Sequence, residues 1–265
     1  MLSLTIKDYT LDAVSQFTYI NSTTSDNASL NLEIGKRIRK AAINMSKLSA
    51  RVWENKKLTT QTKIAAHLAC TVSTLLYGSE SWTTYAGQKK RLHTFHMRCL
   101  CLILTILWTD KVSNNVVLER AGIPSMYTLL RQHRLRWLGH SHRMNNGRIP
   151  KDLLYGELEL GSRPVGRPKL HFSDVCKWDK LVTGFPTNNW ELLAADWDKW
   201  KTMCSQALQA GEIKLTAEAD MRRMKRKAAA KALASGPAAS GYNCGGCGCV
   251  CLCWIGLFSQ ERKCS

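Results

Sequence analysis

The sequence lacks the acidic motifs on which nucleotide-polymerising enzymes depend. It contains no two adjacent aspartates, whereas polymerase-type enzymes cluster acidic side chains to hold two Mg²⁺ ions. It also has no phosphate-binding P-loop, no HExxH metalloprotease motif and no GxSxG nucleophile elbow. We therefore expect a protein without catalytic activity of its own and without a magnesium site.

Long apolar runs are missing as well. The segment VCLCWIGLF, residues 250–258, is shorter than the roughly 18 apolar residues of a membrane-spanning helix. The first residues, MLSLTIKDYTLD, carry an early acid and do not resemble a secretory signal peptide. We expect an intracellular protein of the nucleus or the cytoplasm that is not secreted and has no membrane partner.

Acidic residues are scarce relative to basic ones. The 265 residues include 38 Lys and Arg but 20 Asp and Glu, so the formal net charge is +18 at pH 7. A charge excess of this size favours a polyanionic partner, with nucleic acid ahead of an anionic membrane surface. The hydrophobic fraction of 45% argues against global disorder, and the length is sufficient for a sizeable core.

Periodicity predicts a mainly α fold. Apolar residues recur at steps of three and four from about residue 27, which is typical of amphipathic helices. Short segments before residue 20 are rich in β-branched and aromatic residues, which predicts a small N-terminal β-hairpin or meander. We expect helices at about 27–52, from Thr59 or Thr60 to about Leu76 with Gly78 as its C-cap, at 88–106, after Ser113, and at 125–144.

Changes in composition divide the chain into six segments. Glycines and prolines interrupt any helix in one of them, which predicts an irregular connector. The Ser/Gly/Ala-rich stretch SGPAASG is typical of a flexible linker. The predicted segments are 1–25 (strand-rich), 26–145 (helical bundle), 146–170 (connector), 171–234 (second helical unit with a long basic helix), 235–242 (linker) and 243–265 (Cys-rich tail).

Two histidines and a tryptophan-rich helix face could belong either to a binding site or to the hydrophobic core. His133 and His140 are seven residues apart, roughly 10 Å along a helix axis, and this spacing is too long for one shared metal ion. They fall within the apolar arc of the helix at 125–144, and we therefore expect core histidines. We interpret a second face as core rather than as a base-stacking platform; its members are Trp190, Leu193, Trp197 and Trp200.

Six of the eleven cysteines lie in residues 242–265. In a reducing compartment cysteines stay free, and an odd total fits poorly with a complete set of disulfides. Clustered thiols in that setting favour a metal site. The alternative is a largely unfolded, oxidation-prone tail.

Several phrases in this order resemble the C-terminal portion, thumb and post-thumb, of LINE-type non-LTR retrotransposon reverse transcriptases. The resemblance covers nearly the whole chain, and the ordered set is far more specific than any one phrase. The phrases are TLLYGSESWT (74–83), RLHTFHMRCL (91–100), WTDKVSNNVVLERAGI (108–123), LRQHRLRWLGHSHRM (130–144), GRIPKDLLYGEL (147–158) and RPVGRPKLHFSDVCKWD (163–179).

The resemblance implies a frame for the chain. The first helices resemble the thumb, which follows the template–primer duplex, and the later part resembles a nucleic-acid-binding extension. The palm with its metal-binding aspartates lies upstream of this portion in the family, in agreement with the missing aspartate pair. The N-terminal turn is Tyr19-Ile20-Asn21, where the family usually has Tyr-Leu-Gly in a hairpin that grips the primer.

The resemblance also implies a degenerate CCHC-like zinc finger in the tail. The family pattern is Cys-x2-Cys-x12-His-x3-Cys, and Cys244, Cys247 and Cys264 match three of its ligands. Gln260 stands at the position of the histidine and is a poor zinc ligand. The fourth ligand is left open among Cys249, Cys251 and Cys253, with Cys251 as the first candidate.

We predict that the basic residues downstream of 130 contact phosphates of RNA or DNA. For residues 222–227 a nuclear-import signal is the rival interpretation. Two other functions stay open: an accessory thumb subunit of a separately encoded reverse transcriptase, and a translated remnant without a selected function. The predicted contact residues are Arg131, Arg134, Arg136, Arg143, Arg148, Arg167, Lys169, Arg222, Arg223, Lys225, Arg226 and Lys227.

Overall fold

A computed structural model describes residues 4–6, 9–11, 14–156, 166, 169–186, 188–235, 242–251 and 254–264. These residues belong to two compact units, Met1–Lys214 and Leu215–Ser265. Helices make up most of the described residues, and the strands among them form two-stranded antiparallel sheets. The mainly α fold class with a small N-terminal hairpin is therefore confirmed. No helix in the described part combines the length and the apolar character that a membrane crossing requires.

Two hairpins open the first unit. Strand β1 (Leu4–Ile6) pairs with β2 (Tyr9–Leu11), and β3 (Gln16–Tyr19) pairs with β4 (Ser22–Ser25). The second turn places Asn21 at φ 65°, a left-handed conformation that asparagine tolerates better than most residues.

The second hairpin is bound to the first helix through buried polar contacts. The Thr23 N–H donates to Glu33 Oε2 at 2.7 Å, and the same carboxylate pairs with Arg37 at 2.6 Å. The Arg37 guanidinium also donates to the Asn21 carbonyl at 2.5 Å. The Tyr19-Ile20-Asn21 turn is thus held by a charge-assisted network.

Helices follow the two hairpins along the chain. The Thr59 and Ser125 hydroxyls cap α2 and α6 by accepting from N–H groups in the first turn. Gly78, predicted as the C-cap of the second helix, adopts φ 76°, but the capping residue of that helix is Leu76. The helices are α1 (Asn31–Lys47), α2 (Thr60–Ala66), α3 (Ser73–Leu75), α4 (Ala86–Ile103), α5 (Asn114–Ala121), α6 (Met126–Arg143), α7 (Ile149–Tyr155), α8 (Phe172–Thr183), α9 (Trp190–Ala195) and α10 (Trp197–Ser235).

Two local features differ from the predicted helices. The helix expected from residue 60 to about 76 contains a π-helical segment, His67–Val72, between α2 and α3. Its buried residues His67, Thr71 and Val72 follow a spacing of four and five, which matches the wider π turn. The connector expected to be irregular contains α7, because Pro150 falls in its first turn, where a missing N–H costs nothing.

Helix α6 joins two hydrophobic cores of the first unit. Its N-terminal half packs Met126 and Leu130 into a core with residues of α1 and α4. Its C-terminal half packs Leu135 and Leu138 into a core with residues of α8, α9 and α10. A third cluster lies between α2, α4 and α5. The apolar arc predicted for this helix therefore has two partners along its length.

Trp200 anchors the second of these cores. Its side chain is 1% exposed, and its indole N–H donates to the Leu135 carbonyl at 3.0 Å. A Cβ on Gly139 would come within 2.2 Å of that indole nitrogen, and only glycine fits there. The expected core role of Trp200 is confirmed, and Trp190 and Leu193 also pack against this core.

The prediction was wrong for two of the ring-bearing side chains. Trp197 is 51% exposed and His140 is also exposed. His133 is half-buried and bonds through Nδ1 to Ser79 Oγ at 2.8 Å. A period of 100° per residue assigns each side chain to a face of its helix. It does not show whether another element covers that face, and His140 on α6 and Trp197 on α10 stay exposed.

A buried histidine pair predicts acid sensitivity of the first unit. His67 Nε2 lies 3.3 Å from His96 Nδ1, and both side chains are fully buried. Burial lowers the pKa of His67 to about 4 and that of His96 to about 3. Since the unfolded chain binds these protons near pH 6.5 and the folded chain does not, stability should fall as the pH drops from about 6.5 towards 4.

Urea unfolding at a series of pH values measures this effect. His96→Gln should reduce the slope of stability against pH by up to about 1.4 kcal/mol per pH unit in that window. The exposed residue His140 provides the matched control, and His140→Gln should keep the wild-type slope. Equal slopes for all three proteins would contradict a neutral buried pair.

Candidate nucleic-acid interface and metal centre

The second unit carries the densest positive charge. Between residues 221 and 235 the chain has six Lys and Arg and no acidic residue. The five cations in 222–227, here called the basic segment, cover an arc of about 200° around α10 at 100° per residue. Arg222 pairs with Glu218 at 3.4 Å, while Arg223, Lys225 and Lys227 show no ion pair within the described residues. Most of the positive charge on this part of the helix is therefore not neutralised by acidic residues among the described residues.

Arg134 was predicted to contact phosphates at the surface, but the structure buries it. Its side chain is 1% exposed, and its guanidinium donates to both oxygens of Asp179 at 2.6 and 3.1 Å. Arg131 lies beside the same carboxylate at 3.4 Å and is 14% exposed. Burial lowers the pKa of the nearby Lys89, and Arg134 lowers it further. Arg134 is therefore an internal ion-pair residue, because α8 supplies a buried acid opposite α6, and it is withdrawn from the interface.

Arg143 and Arg148 come together at the end of α6. Both line a cavity of about 440 Å³ with Met144, Asn145 and Pro150. Arg148 is exposed, whereas Arg143 is held by the Ala194 carbonyl at 2.6 Å. Two guanidinium groups on one open cavity suit an anion such as phosphate.

The remaining predicted cations of the first unit lie apart. Arg136 is exposed on α6. Lys169 is exposed and donates to the Asn27 carbonyl at 2.9 Å, which fixes the chain just before α8. Arg167 lies outside the described residues.

The Cys-rich tail folds into a hairpin followed by a helix. Strand β5 (Tyr242–Asn243) pairs with β6 (Val250–Cys251), and α11 (Trp254–Cys264) follows. Backbone bonds close the turn between the strands, from Cys244 N–H to the Cys249 carbonyl and from Gly248 N–H to the Cys244 carbonyl. A ββα order of this kind is the arrangement of zinc fingers. The alternative of an unfolded tail is not what the structure describes.

Three of the predicted metal ligands meet in this unit. The sulfurs of Cys244, Cys247 and Cys264 lie within 4.8 Å of one another. A Cβ on Gly246 would come within 2.9 Å of the Cys264 Cβ, so the absence of a side chain there permits the approach of α11. The group could hold a metal ion.

Hydrogen bonds shift the pKa values of Cys247 and Cys264 in opposite directions. The Cys249 N–H and the Gln260 amide donate to Cys247 Sγ and lower the pKa of the Cys247 thiol to about 6. The bond that Cys264 makes to Cys247 raises the pKa of the Cys264 thiol to about 12. A divalent ion would reverse the second effect, since coordinated thiols are deprotonated.

Gln260 lies beside the three sulfurs. It lies one helical turn before Cys264, and its amide nitrogen is 3.7 Å from Cys247 Sγ. Cys251, the first candidate for this role, lies on β6 opposite Tyr242, and its sulfur is not part of the group of three. Cys249, the second candidate, hydrogen-bonds Cys247, and Cys253, the third, lies outside the described residues.

Comparison with known proteins adds no family to this geometry. A scan with protein-family models found no match, and searches of the curated proteins and of the solved structures found none either.

Proposed function

We propose that the chain is a non-catalytic nucleic-acid-binding protein that corresponds to the thumb and post-thumb portion of a LINE-type reverse transcriptase. It binds RNA or DNA through phosphate contacts and holds a structural zinc ion in its tail. The observation that carries the proposal is the basic segment, which places five cations on α10. Among the described residues, the ion pair found for these cations is that of Arg222 with Glu218. Charge that the protein does not neutralise internally is available for phosphates.

Zinc is the metal that best fits the tail. Three thiolates are soft ligands, which select zinc over Mg²⁺ or Ca²⁺. Gln260 and Cys249 both hydrogen-bond Cys247 and would be the candidates for a fourth ligand. With three strong ligands and one weak or rearranged one, we expect weaker zinc binding than in a complete Cys₃His finger.

Replacing all five residues of the basic segment with glutamine should weaken binding to duplex DNA. Each lost phosphate contact lowers the slope of log K against log salt by about 0.9, so the slope should fall by about 3–5 if most of the five make contacts. Fluorescence anisotropy with a labelled duplex and a structured RNA, titrated between low and physiological salt, measures it.

A charge-matched control distinguishes the contribution of the basic segment from the contribution of the overall net charge. Glutamine at five other exposed lysines removes the same charge: Lys47, Lys56, Lys57, Lys90 and Lys201. We expect that variant to bind close to wild type. Equal losses in the two variants would mean that net charge alone drives association, and wild-type protein that ignores both polymers at low salt would refute the proposal.

An exposed apolar surface supports the accessory-subunit function as a second candidate. Trp108 is 90% exposed and Leu107 is 65% exposed. Both line a cavity of about 500 Å³ together with Leu102 and Met97. Exposed apolar patches of this kind mark protein interfaces. A reverse transcriptase from which the thumb has been deleted should regain primer extension with the wild-type chain and not with Trp108→Glu.

A further inference from the structure

An open pocket in the first unit has two tryptophan walls. Its volume is about 330 Å³, which lies at the lower end of the roughly 300–1,000 Å³ of small-molecule sites. Helix α6, the start of α10 and the short segment after Gly78 supply its lining. The lining residues are Glu80, His133, Arg136, Trp137, His140 and Trp197.

We propose that this pocket binds an unpaired nucleobase that carries an exocyclic amino group. The inference rests on the proposed nucleic-acid binding and adds to it a site for a single-stranded or flipped-out base. Phosphate contacts alone do not distinguish paired from unpaired bases, whereas a stacking pocket accepts only an unpaired base.

Each tryptophan of the pocket has a side-chain neighbour. The Arg143 guanidinium lies 5.0 Å from the centre of the Trp197 ring and is itself held by the Ala194 carbonyl. The Trp137 ring lies 5.4 Å from the His140 ring. Trp197 nevertheless keeps 51% of its surface exposed, although a tryptophan gains most from burial. An exposed indole ring offers a surface on which a base can stack.

The polar groups of the pocket fit the edge of a base and its phosphate. Burial lowers the pKa of His133, so its ring is neutral at pH 7, and the Ser79 bond at 2.8 Å orients it. The Glu80 carboxylate can accept from an exocyclic amino group, as acids do from cytosine N4. Arg136 is exposed at the rim, where it can meet a phosphate.

Glu80 selects among bases. Cytosine, adenine and guanine carry an exocyclic amino group for it, whereas the N3–H of uracil lies between two carbonyl oxygens that a carboxylate repels. A trimethylated ammonium group is the competing ligand for tryptophans beside an acid. The nearby Arg136 disfavours such a cation, and the net charge of +18 disfavours it further.

The test compares oligonucleotides that differ in their bases alone. We would titrate single-stranded octamers of cytidine, of uridine and of abasic ribose phosphate, and a blunt duplex, against wild type and Trp197→Ala. Trp197→Ala should bind oligocytidine about 5- to 150-fold more weakly, the range that one lost stacking contact implies, and should bind the duplex within about twofold of wild type. The control is Trp178→Ala, since Trp178 is 64% exposed in the same unit and lies outside the pocket.

Glu80→Gln gives a second readout that does not depend on the tryptophans. It should bring the ratio of cytidine to uridine affinity close to one while duplex binding stays unchanged. If wild type binds the polymers but both pocket variants behave like Trp178→Ala, the pocket proposal fails and the phosphate-binding function stands. If the wild-type protein binds neither polymer, both the nucleic-acid-binding function and the pocket proposal are overturned. If it binds a trimethyl-lysine peptide more tightly than oligocytidine, the pocket is a site for a quaternary ammonium group and the nucleobase proposal is overturned.

Discussion

Asp179→Ala should lower the free energy of unfolding by about 3–5 kcal/mol, the usual effect of breaking a buried ion pair from one side. Asp179 is the carboxylate that Arg134 and Arg131 share, and its side chain is 5% exposed. Nη1 of Arg134 already lacks a partner among the described residues. Removal of the acid leaves two guanidinium groups in a site that excludes water, with Lys89 nearby.

Urea denaturation of the variant and of an exposed control measures this loss. Asp198→Ala removes an exposed carboxylate of α10 and should change stability by less than about 1 kcal/mol. The double variant Arg134→Met with Asp179→Leu replaces charge with apolar volume, and it should recover most of the loss. If Asp179→Ala is no less stable than Asp198→Ala, the pair is not buried in the folded protein and Arg134 returns to the candidate interface.

Gln260→His should raise the affinity for zinc by about a hundred- to a thousandfold. Structural zinc sites bind with a free energy of roughly 10–16 kcal/mol. One ligand in four accounts for about 2.5–4 kcal/mol of that free energy, which corresponds to a change in affinity of about a hundred- to a thousandfold. The amide of Gln260 already contacts Cys247, one turn before Cys264. An imidazole at this position would complete a Cys₃His set.

Competition with a chromophoric chelator measures the zinc affinity, and Co²⁺ absorption reports the ligand set. Gln206→His places the same side chain at an exposed position of α10 and should leave the affinity unchanged. Cys264→Ser should abolish tight binding, both in the wild-type chain and in combination with Gln260→His. An unchanged affinity in Gln260→His would mean that the tail closes its site through another ligand, and Cys249→Ser in the wild-type background would then identify it.

Local sequence patterns predicted the longer helices of the first unit. Apolar spacing predicted α1, α4 and α6 to within a few residues, and Thr59 and Ser125 cap helices as their residue types suggest. These features depend on contacts between residues three and four apart, which a single sequence displays directly. The Cys-x2-Cys pair is local in the same sense, because a short turn brings its two thiols together.

Long-range contacts decided which residues are available to a ligand. Arg134 and Arg136 lie two positions apart on α6 and carry the same charge, yet the former is buried and the latter exposed. The difference is Asp179, which is 45 residues away in the chain. Helical periodicity assigns a face to a residue but does not say which other element will cover that face.

The sequence by itself determined the helical class, the excess of positive charge, the absence of an aspartate pair and the local spacing of the tail cysteines. The tertiary structure decided that Arg134 is internal, that Trp197 and Trp137 face one open pocket, and that Gln260 lies beside the three sulfurs. The physical reason is the range of the interactions. Helix formation and capping are settled within a few residues, whereas burial and the assembly of a site depend on partners that only the folded chain brings together.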